Sequence, residues 1–151
     1  MQVNLFLLPR SISTVIVLLL MTATVSCSRQ PRYPAPPVSG SDIVITIAAL
    51  PQDVPQFYTL NAGGKPVSFF VIRLSDTVIS YFDACFNCYR QKLGYGFDRS
   101  FMVCRACNTN YSIYKLDKGI GGCYPIVLKG TVDGGTYRIP VASVEAQAGK
   151  F

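Results

Sequence analysis

The chain has 151 residues, 50% of them hydrophobic, which is enough for one modest domain and a tail. Its 14 basic and 8 acidic residues give a formal net charge of +6, but the basic residues form no run, so no nucleic-acid interface is predicted. The absence of histidine excludes Ser-His and Cys-His catalysis and histidine-ligated haem. A mildly basic surface that faces an anionic membrane is the simpler interpretation of the charge.

Residues 1–27 have the pattern of an export signal. Arg10 is the only charged side chain in this segment, and residues 12–21 are almost continuously apolar but too short for a comfortable membrane span. The segment ends in Thr24-Val25-Ser26-Cys27, which resembles the lipobox of bacterial lipoproteins, where the cysteine is lipidated and becomes the new N-terminus. We therefore predict a lipid anchor on Cys27 and a location on the periplasmic face of a membrane. An uncleaved signal anchor, or a cleaved signal with an incidental Cys27, is the alternative.

A proline-rich stretch, residues 28–41, follows the signal. Four prolines exclude a helix or an inner strand there, and the stretch is predicted to be an extended linker that holds the domain off the membrane. The change in composition places the domain at residues 42–151.

The domain has the pattern of a β-rich fold. Its predicted strands cover residues 43–47, 67–74, 77–82, 126–132 and 136–141. Ser75-Asp76 and Gly134-Gly135 are the predicted hairpin turns, and Gly63-Gly64 marks another turn. Because no segment shows a long amphipathic period, any helix should be short. We predict an all-β or β-rich domain of five to eight short strands.

Five cysteines in the domain form two C-x2-C pairs separated by fifteen residues, and a last cysteine follows after another fifteen; they are Cys85, Cys88, Cys104, Cys107 and Cys123. A C-x2-C turn presents two sulfurs on one side of a tight loop, and two such loops that face each other complete a tetrahedron. This spacing predicts zinc-ribbon or rubredoxin-like metal knuckles. It suits zinc, iron or an iron–sulfur cluster equally.

Other chemistry is compatible with the same cysteines. Disulfides are the default outside the cytoplasm, although five thiols cannot all pair and the two close pairs would close only small loops. A thioredoxin-like redox pair is disfavoured because neither C-x2-C opens a helix in a βαβ pattern. A purely structural zinc site is the serious competitor. Cys123 is a fourth or fifth ligand, or a spare thiol.

The residues around the cysteines suit a shielded, negatively charged centre. Six basic and two acidic residues lie between Cys85 and Cys123, and aromatic residues crowd the same stretch, either as a shell around the centre or simply as core. Asp83, two residues before the first cysteine, is interpreted as an ordinary turn aspartate, with a hydrogen-bond acceptor beside the centre as the alternative. No nucleophile and base can be paired from the sequence, so the protein is not predicted to be an enzyme.

Several spaced elements resemble the FtrD-like membrane iron–sulfur protein family. They are Asp83-Ala84-Cys85-Phe86-Asn87-Cys88-Tyr89, Gly94-Tyr95, Val103-Cys104-Arg105-Ala106-Cys107 and Gly121-Gly122-Cys123-Tyr124-Pro125-Ile126-Val127-Leu128, and the resemblance covers about residues 42–144. It implies an iron–sulfur cofactor, with the five domain cysteines as candidate ligands. It also implies electron transfer in extracytoplasmic iron transport, with redox or iron-permease proteins as partners.

The mode of export keeps a second interpretation open. Clusters assembled in the cytoplasm are usually exported in folded proteins through a twin-arginine signal, whereas Arg10 stands alone here. A zinc ion acquired after export is therefore the alternative cofactor, and an interaction module stabilised by that zinc is the alternative function.

Overall fold

The computed structural model describes residues 30–119 and 122–151. The export signal, the lipobox and Cys27 lie outside these residues and stay predictions. None of the helices in the described ranges is long and apolar enough to cross a membrane.

The described residues form a β-rich fold, as predicted. The strands in chain order are β1 (Val38–Ser39), β2 (Asp42–Thr46), β3 (Gln56–Ala62), β4 (Lys65–Leu74), β5 (Thr77–Cys85), β6 (Tyr95–Asp98), β7 (Phe101–Cys104), β8 (Asn110–Ser112), β9 (Pro125–Val127), β10 (Thr131–Asp133) and β11 (Thr136–Pro140). The helices are α1 (Val141–Glu145) and four 3-10 segments, Ile47–Ala49, Tyr89–Gln91, Ile113–Lys118 and Ala148–Lys150. These eleven strands exceed the five to eight expected, because several have only two to four residues and carry no sequence pattern of their own.

The strands form three antiparallel sheets. The central sheet has the order β3-β4-β5-β9, a second has the order β1-β2-β11-β10, and a small third sheet has the order β6-β7-β8. The hairpins at Ser75-Asp76 and Gly134-Gly135 occur where the sequence predicts them. The predicted turn at Gly63-Gly64 joins β4 to β3, a strand that the sequence does not predict. The small sheet consists of consecutive hairpins, whereas the other two sheets each contain one pairing of strands that are distant in the chain, β2 with β11 and β5 with β9.

Strand β4 is buried on both faces, and this produces two separate cores. Successive side chains of a strand point to opposite faces. Val67, Phe69 and Val71 pack in a core with Ile43 and Ile139 of the second sheet. The alternate residues Phe70 and Ile72 pack in another core with Tyr95, Met102 and Tyr111 of the small sheet, and this core contains Cys85 and Cys104. The cysteines thus lie between the central sheet and the small sheet.

Residues 126–132, predicted as one strand, are divided between two sheets. Strand β9 pairs with β5 in the central sheet, while β10 pairs with β11 in the second sheet. The chain crosses between them at Gly130, where a Cβ atom would lie 2.5 Å from the Tyr137 ring. The sequence does not reveal this crossing, because the residues on the two sides of Gly130 follow the same strand-like pattern.

The hydroxyl of Tyr137 links the crossing to the central sheet. It lies 2.9 Å from the Ser80 hydroxyl, which also donates to the Leu128 carbonyl at 2.6 Å. We expect Tyr137→Phe to lower the free energy of unfolding by about 1 kcal/mol, because one buried hydrogen bond is lost. Urea unfolding of Tyr137→Phe, Ser80→Ala and the double variant measures the coupling. If the loss of unfolding free energy in the double variant equals the sum of the two single losses, the hydrogen bond between Tyr137 and Ser80 does not contribute to stability.

The proline-rich stretch lies against the domain over its described part, residues 30–41, where the sequence analysis expected a linker. The Thr59 amide donates to the Pro34 carbonyl at 3.0 Å, and the Val44 amide donates to the Pro37 carbonyl at 3.0 Å. The Tyr33 ring stacks on Phe57 with centroids 4.7 Å apart. Because proline lacks a backbone N–H but keeps its carbonyl, Pro34 and Pro37 themselves accept hydrogen bonds from the domain. The stretch is extended along the domain and does not act as a free spacer there.

Candidate metal centre

All five cysteines of the domain come together in the fold. The sulfurs of Cys85, Cys88 and Cys104 lie within 4.8 Å of one another, and so do those of Cys88, Cys107 and Cys123. Cys88 belongs to both groups. The two C-x2-C pairs meet as their spacing predicts, and Cys123, which the sequence leaves as a ligand or a spare thiol, lies with them.

Each cysteine is placed by a strand end. Cys85 ends β5 and Cys104 ends β7, so both C-x2-C turns leave a sheet at the same side of the small core. Cys85 is also the register partner of Pro125 in β9, and the Phe86 amide donates to the Tyr124 carbonyl at 2.9 Å. This pairing brings Cys123, two residues before β9, beside the first turn.

Burial changes across the cysteine cluster. Cys85 and Cys104 are 2% and 1% exposed, Cys88 and Cys123 are intermediate, and Cys107 is exposed. All five are free thiols in the part of the chain that the structure describes. One side of the cluster therefore faces the small core and the other reaches the surface at Cys107.

Polar groups close to the sulfurs favour thiolates at two of the five positions. Burial disfavours a charge on Cys85, but the amides of Asn87 and Cys88 outweigh it and lower the pKa of this thiol. Burial likewise opposes ionisation of Cys107, yet the Thr109 hydroxyl, 3.2 Å from its sulfur, and the Thr109 amide lower its pKa to about 7. Amides directed at the sulfurs of a C-x2-C turn are typical of metal knuckles.

The other three thiols are held neutral by burial and by their neighbours. Burial raises the pKa of Cys104 to about 11 despite the amides of Cys107 and Ala106. The pKa values of Cys88 and Cys123 are raised by burial and by the charge of Cys85. A bound cation would remove this repulsion, since a metal deprotonates the thiols that coordinate it.

Two buried tyrosines complete the surroundings. The hydroxyls of Tyr95 and Tyr111 are inaccessible to solvent and lack a hydrogen-bond partner among residues 30–119 and 122–151. Burial first, and then the charge of Cys85, raise the pKa of both phenols, so both remain hydrogen-bond donors. Their rings meet edge to face at 6.0 Å inside the core that contains Cys85 and Cys104. An unsatisfied buried donor costs about 1–3 kcal/mol, which a sulfur-rich group bound beside it would offset.

Asp83 is not the turn aspartate that the sequence analysis favoured. It lies within β5, is 1% exposed, and accepts hydrogen bonds from the Tyr95 amide at 2.6 Å and the Gln30 side chain at 2.7 Å. It therefore joins β5, β6 and the N-terminal stretch beside the cysteines. The pairing with Gln30 could not be found from the sequence, because 53 residues separate them and no pattern connects them.

The basic residues between the cysteines lie at the surface. All six are exposed: Arg90, Lys92, Arg99, Arg105, Lys115 and Lys118. Arg105 donates to the Leu93 carbonyl at 3.1 Å and so stays next to the second C-x2-C turn. The aromatic residues divide, since Tyr95 and Tyr111 are buried whereas Phe86, Phe101 and Tyr114 are 47–57% exposed. The core interpretation therefore holds for Tyr95 and Tyr111, which pack in the core that contains Cys85 and Cys104.

The donor set fits a soft metal or an iron–sulfur cluster. Thiolate sulfur is the ligand type of zinc, copper(I) and iron–sulfur centres, and the described residues bring five sulfurs together. Cys85, Cys88, Cys104, Cys107 and Cys123 are the residues that would hold it. The amides at the turns and the two phenols would donate to its sulfurs.

Comparison with known proteins agrees with this donor set. A family model described as "Membrane iron-sulfur containing protein FtrD-like" matches residues 30–151. No curated protein and no solved structure matches the chain. The match begins at Gln30, the residue that hydrogen bonds to Asp83, and it includes all five domain cysteines. The chain therefore belongs to the FtrD-like family of membrane iron–sulfur containing proteins.

Proposed function

We propose that this protein transfers electrons outside the cytoplasm through an iron–sulfur centre held by its cysteine cluster. In this proposal Cys27 carries a lipid anchor, and the protein serves an extracytoplasmic iron-handling system that includes an iron permease. The observation that carries it is the meeting of five sulfurs in two groups that share Cys88. Four thiolates are enough for a [2Fe–2S] or [4Fe–4S] cluster, so a sulfur that belongs to a single group can be spared, whereas Cys88 belongs to both.

The position of the cluster suits electron exchange. Its inner side lies in an apolar core, which limits water and helps to set a reduction potential. Its outer side reaches the surface at Cys107, where a redox partner could approach. The exposed basic residues around it would favour an acidic partner surface. The proposed role is that of a redox partner protein and not of an enzyme.

A structural zinc is the second candidate. The amides directed at Cys85 and Cys104 are as suitable for tetrahedral zinc as for a cluster, because a metal knuckle uses the same turn for both. With zinc the centre would carry no redox chemistry, and the protein would act as an interaction module through its surface.

One preparation distinguishes the two candidates. The full chain, purified without oxygen in detergent, is examined for its visible spectrum, iron, zinc and acid-labile sulfide. We expect a broad brown absorption with iron and sulfide in equal amounts. A colourless protein with one zinc would replace the electron-transfer proposal by the interaction module, and a metal-free protein with paired cysteines would refute both.

The two buried phenols give a prediction specific to a redox centre. A hydrogen bond to cluster sulfur stabilises the more negative, reduced state, so Tyr95→Phe and Tyr111→Phe should each shift the reduction potential to more negative values. Phenylalanine keeps the edge-to-face ring contact, so folding should change little. Spectroscopic redox titration measures the shift. Tyr124→Phe, whose ring stacks on exposed Phe86, is the matched control. Unchanged potentials in both variants would exclude the phenols as donors to the centre.

A further inference from the structure

A cavity of about 470 Å³ lies beside the N-terminal stretch and concentrates positive charge. Arg32, Lys65 and Lys92 line it, and no aspartate or glutamate does. All three are exposed, and none forms an ion pair within the described ranges. Phe151 supplies an aromatic ring to the same lining. Unpaired cations grouped around one opening favour an anionic ligand.

A second opening adjoins the first. A neighbouring cavity of about 250 Å³ shares Arg32, Gly64 and Pro66 with the first. The two openings flank the turn between β3 and β4, where Gly64 and Lys65 project from the central sheet. Arg32 is the charged residue that both openings share, so the cationic face consists of Arg32, Lys65 and Lys92 around the first opening. Because all three side chains are exposed, this face can bind several separate anionic groups of a surface.

The chain itself limits what can lie opposite this face. Gln30, Pro31 and Arg32 line the first cavity, and Cys27 is only three residues before Gln30. Three fully extended residues span at most about 11 Å. A lipid on Cys27 therefore places the membrane surface within about 11 Å of this cavity, whatever path residues 28 and 29 take. The hydrogen bonds of residues 30–41 to the domain prevent the stretch from lengthening this distance.

We propose that the domain rests on the membrane through this cationic face, with Arg32, Lys65 and Lys92 bound to anionic phospholipid headgroups. The proposal rests on the lipid anchor of the proposed function. It also places the metal centre next to the membrane, because Gln30 and Lys92 line the narrow cleft that Cys85, Cys88 and Cys104 line as well. A redox partner embedded in the same membrane would then be within reach.

The lysines of this face can report their own contacts. The full chain is bound to vesicles of phosphatidylcholine alone, or of phosphatidylcholine with phosphatidylglycerol, and is treated with an amine-acylating reagent before mass spectrometry. We expect Lys65 and Lys92 to react about fivefold more slowly on the anionic vesicles, since a cation near such a surface gains roughly that factor in binding. Lys129 is exposed, follows β9 at the opposite edge of the central sheet and lines a different cavity, so its rate should not change.

Two variants distinguish membrane binding by this cationic face from attraction by the overall positive charge of the protein. Arg32→Gln should abolish most of the protection of Lys65 and Lys92 while leaving both reporters in place. Arg99→Gln removes an arginine whose side chain is 90% exposed in the turn between β6 and β7, and it should leave the protection unchanged. Equal rates on both kinds of vesicle would overturn the docking proposal. Protection by inorganic phosphate on neutral vesicles, equal to that by phosphatidylglycerol, would also overturn it in favour of a free-anion site.

The anchor is tested in the same samples. Flotation of the chain with both kinds of vesicle, and the mass of the peptide that carries Cys27, report the lipid directly. A lipidated, floating protein with unprotected lysines refutes only the docking face. A chain without lipid on Cys27 refutes the anchor, and with it the docking proposal, while the spectrum and the iron content of the metal centre remain a separate result.

Discussion

Replacing Cys88 with serine is expected to abolish metal binding. Its sulfur is the one that both three-sulfur groups share, so its loss leaves only a pair of sulfurs in each group. Loss of a residue that merely supports a ligand weakens metal binding by about 10–100-fold, so loss of a shared ligand should exceed about 100-fold. Iron and zinc content of the purified protein, together with its visible spectrum, measure the effect.

Cys27→Ser is the matched control for this variant. It should lose the lipid and keep the full metal content, whereas Cys88→Ser should keep the lipid and lose the metal. Cys123→Ser adds a graded comparison, because Cys123 belongs to only one of the two groups. We expect it to retain more metal than Cys88→Ser. Wild-type metal content in Cys88→Ser would contradict the assignment of the cluster as the metal site.

Replacing Gly94 with alanine is expected to destabilise the protein strongly. Gly94 has φ of +65°, a conformation that costs an alanine about 1–2 kcal/mol. A Cβ atom there would also lie 2.5 Å from a carboxylate oxygen of Asp83, which is buried and fixed by hydrogen bonds. Forcing an atom into a packed site adds about 1–3 kcal/mol, so the free energy of unfolding should fall by about 2–5 kcal/mol.

Gly134→Ala separates the two contributions. Gly134 also has a positive φ, +52°, but a Cβ atom there meets no atom within 4 Å. It should therefore show only the backbone cost of about 1–2 kcal/mol. Urea unfolding of both variants gives the difference. Equal losses would mean that Asp83 moves aside without cost, and that it does not hold β5 and β6 together.

Local patterns predicted the parts of the fold that neighbouring residues determine. The hairpins at Ser75-Asp76 and Gly134-Gly135 follow from turn residues between apolar runs, and the structure confirms them. The grouping of the two C-x2-C pairs follows from the geometry of the knuckle itself. In both cases the interacting residues are close in the chain, so composition and spacing contain the information.

Contacts between distant residues were not predictable in this way. The division of residues 126–132 between two sheets depends on Tyr137 covering Gly130, which is a packing contact and not a pattern. The Gln30–Asp83 hydrogen bond joins a proline-rich stretch to a strand across 53 residues. The contacts of residues 30–41, predicted as an extended linker, were not predictable for the same reason: composition shows that a segment cannot form a helix, but not what it packs against.

The two cores on either side of β4 belong to parts of the molecule that differ in local stability. The core that includes Phe69 is closed by two four-stranded sheets, whereas the core around the cysteines depends on a sheet of strands with only three or four residues. Such a small unit opens locally at much lower free energy than the whole protein unfolds, unless a ligand closes it. An empty centre would then unfold the backbone around Arg105, Lys115 and Lys118, whose side chains are already exposed, and make it a substrate for proteases. Degradation would thus remove empty molecules and spare loaded ones.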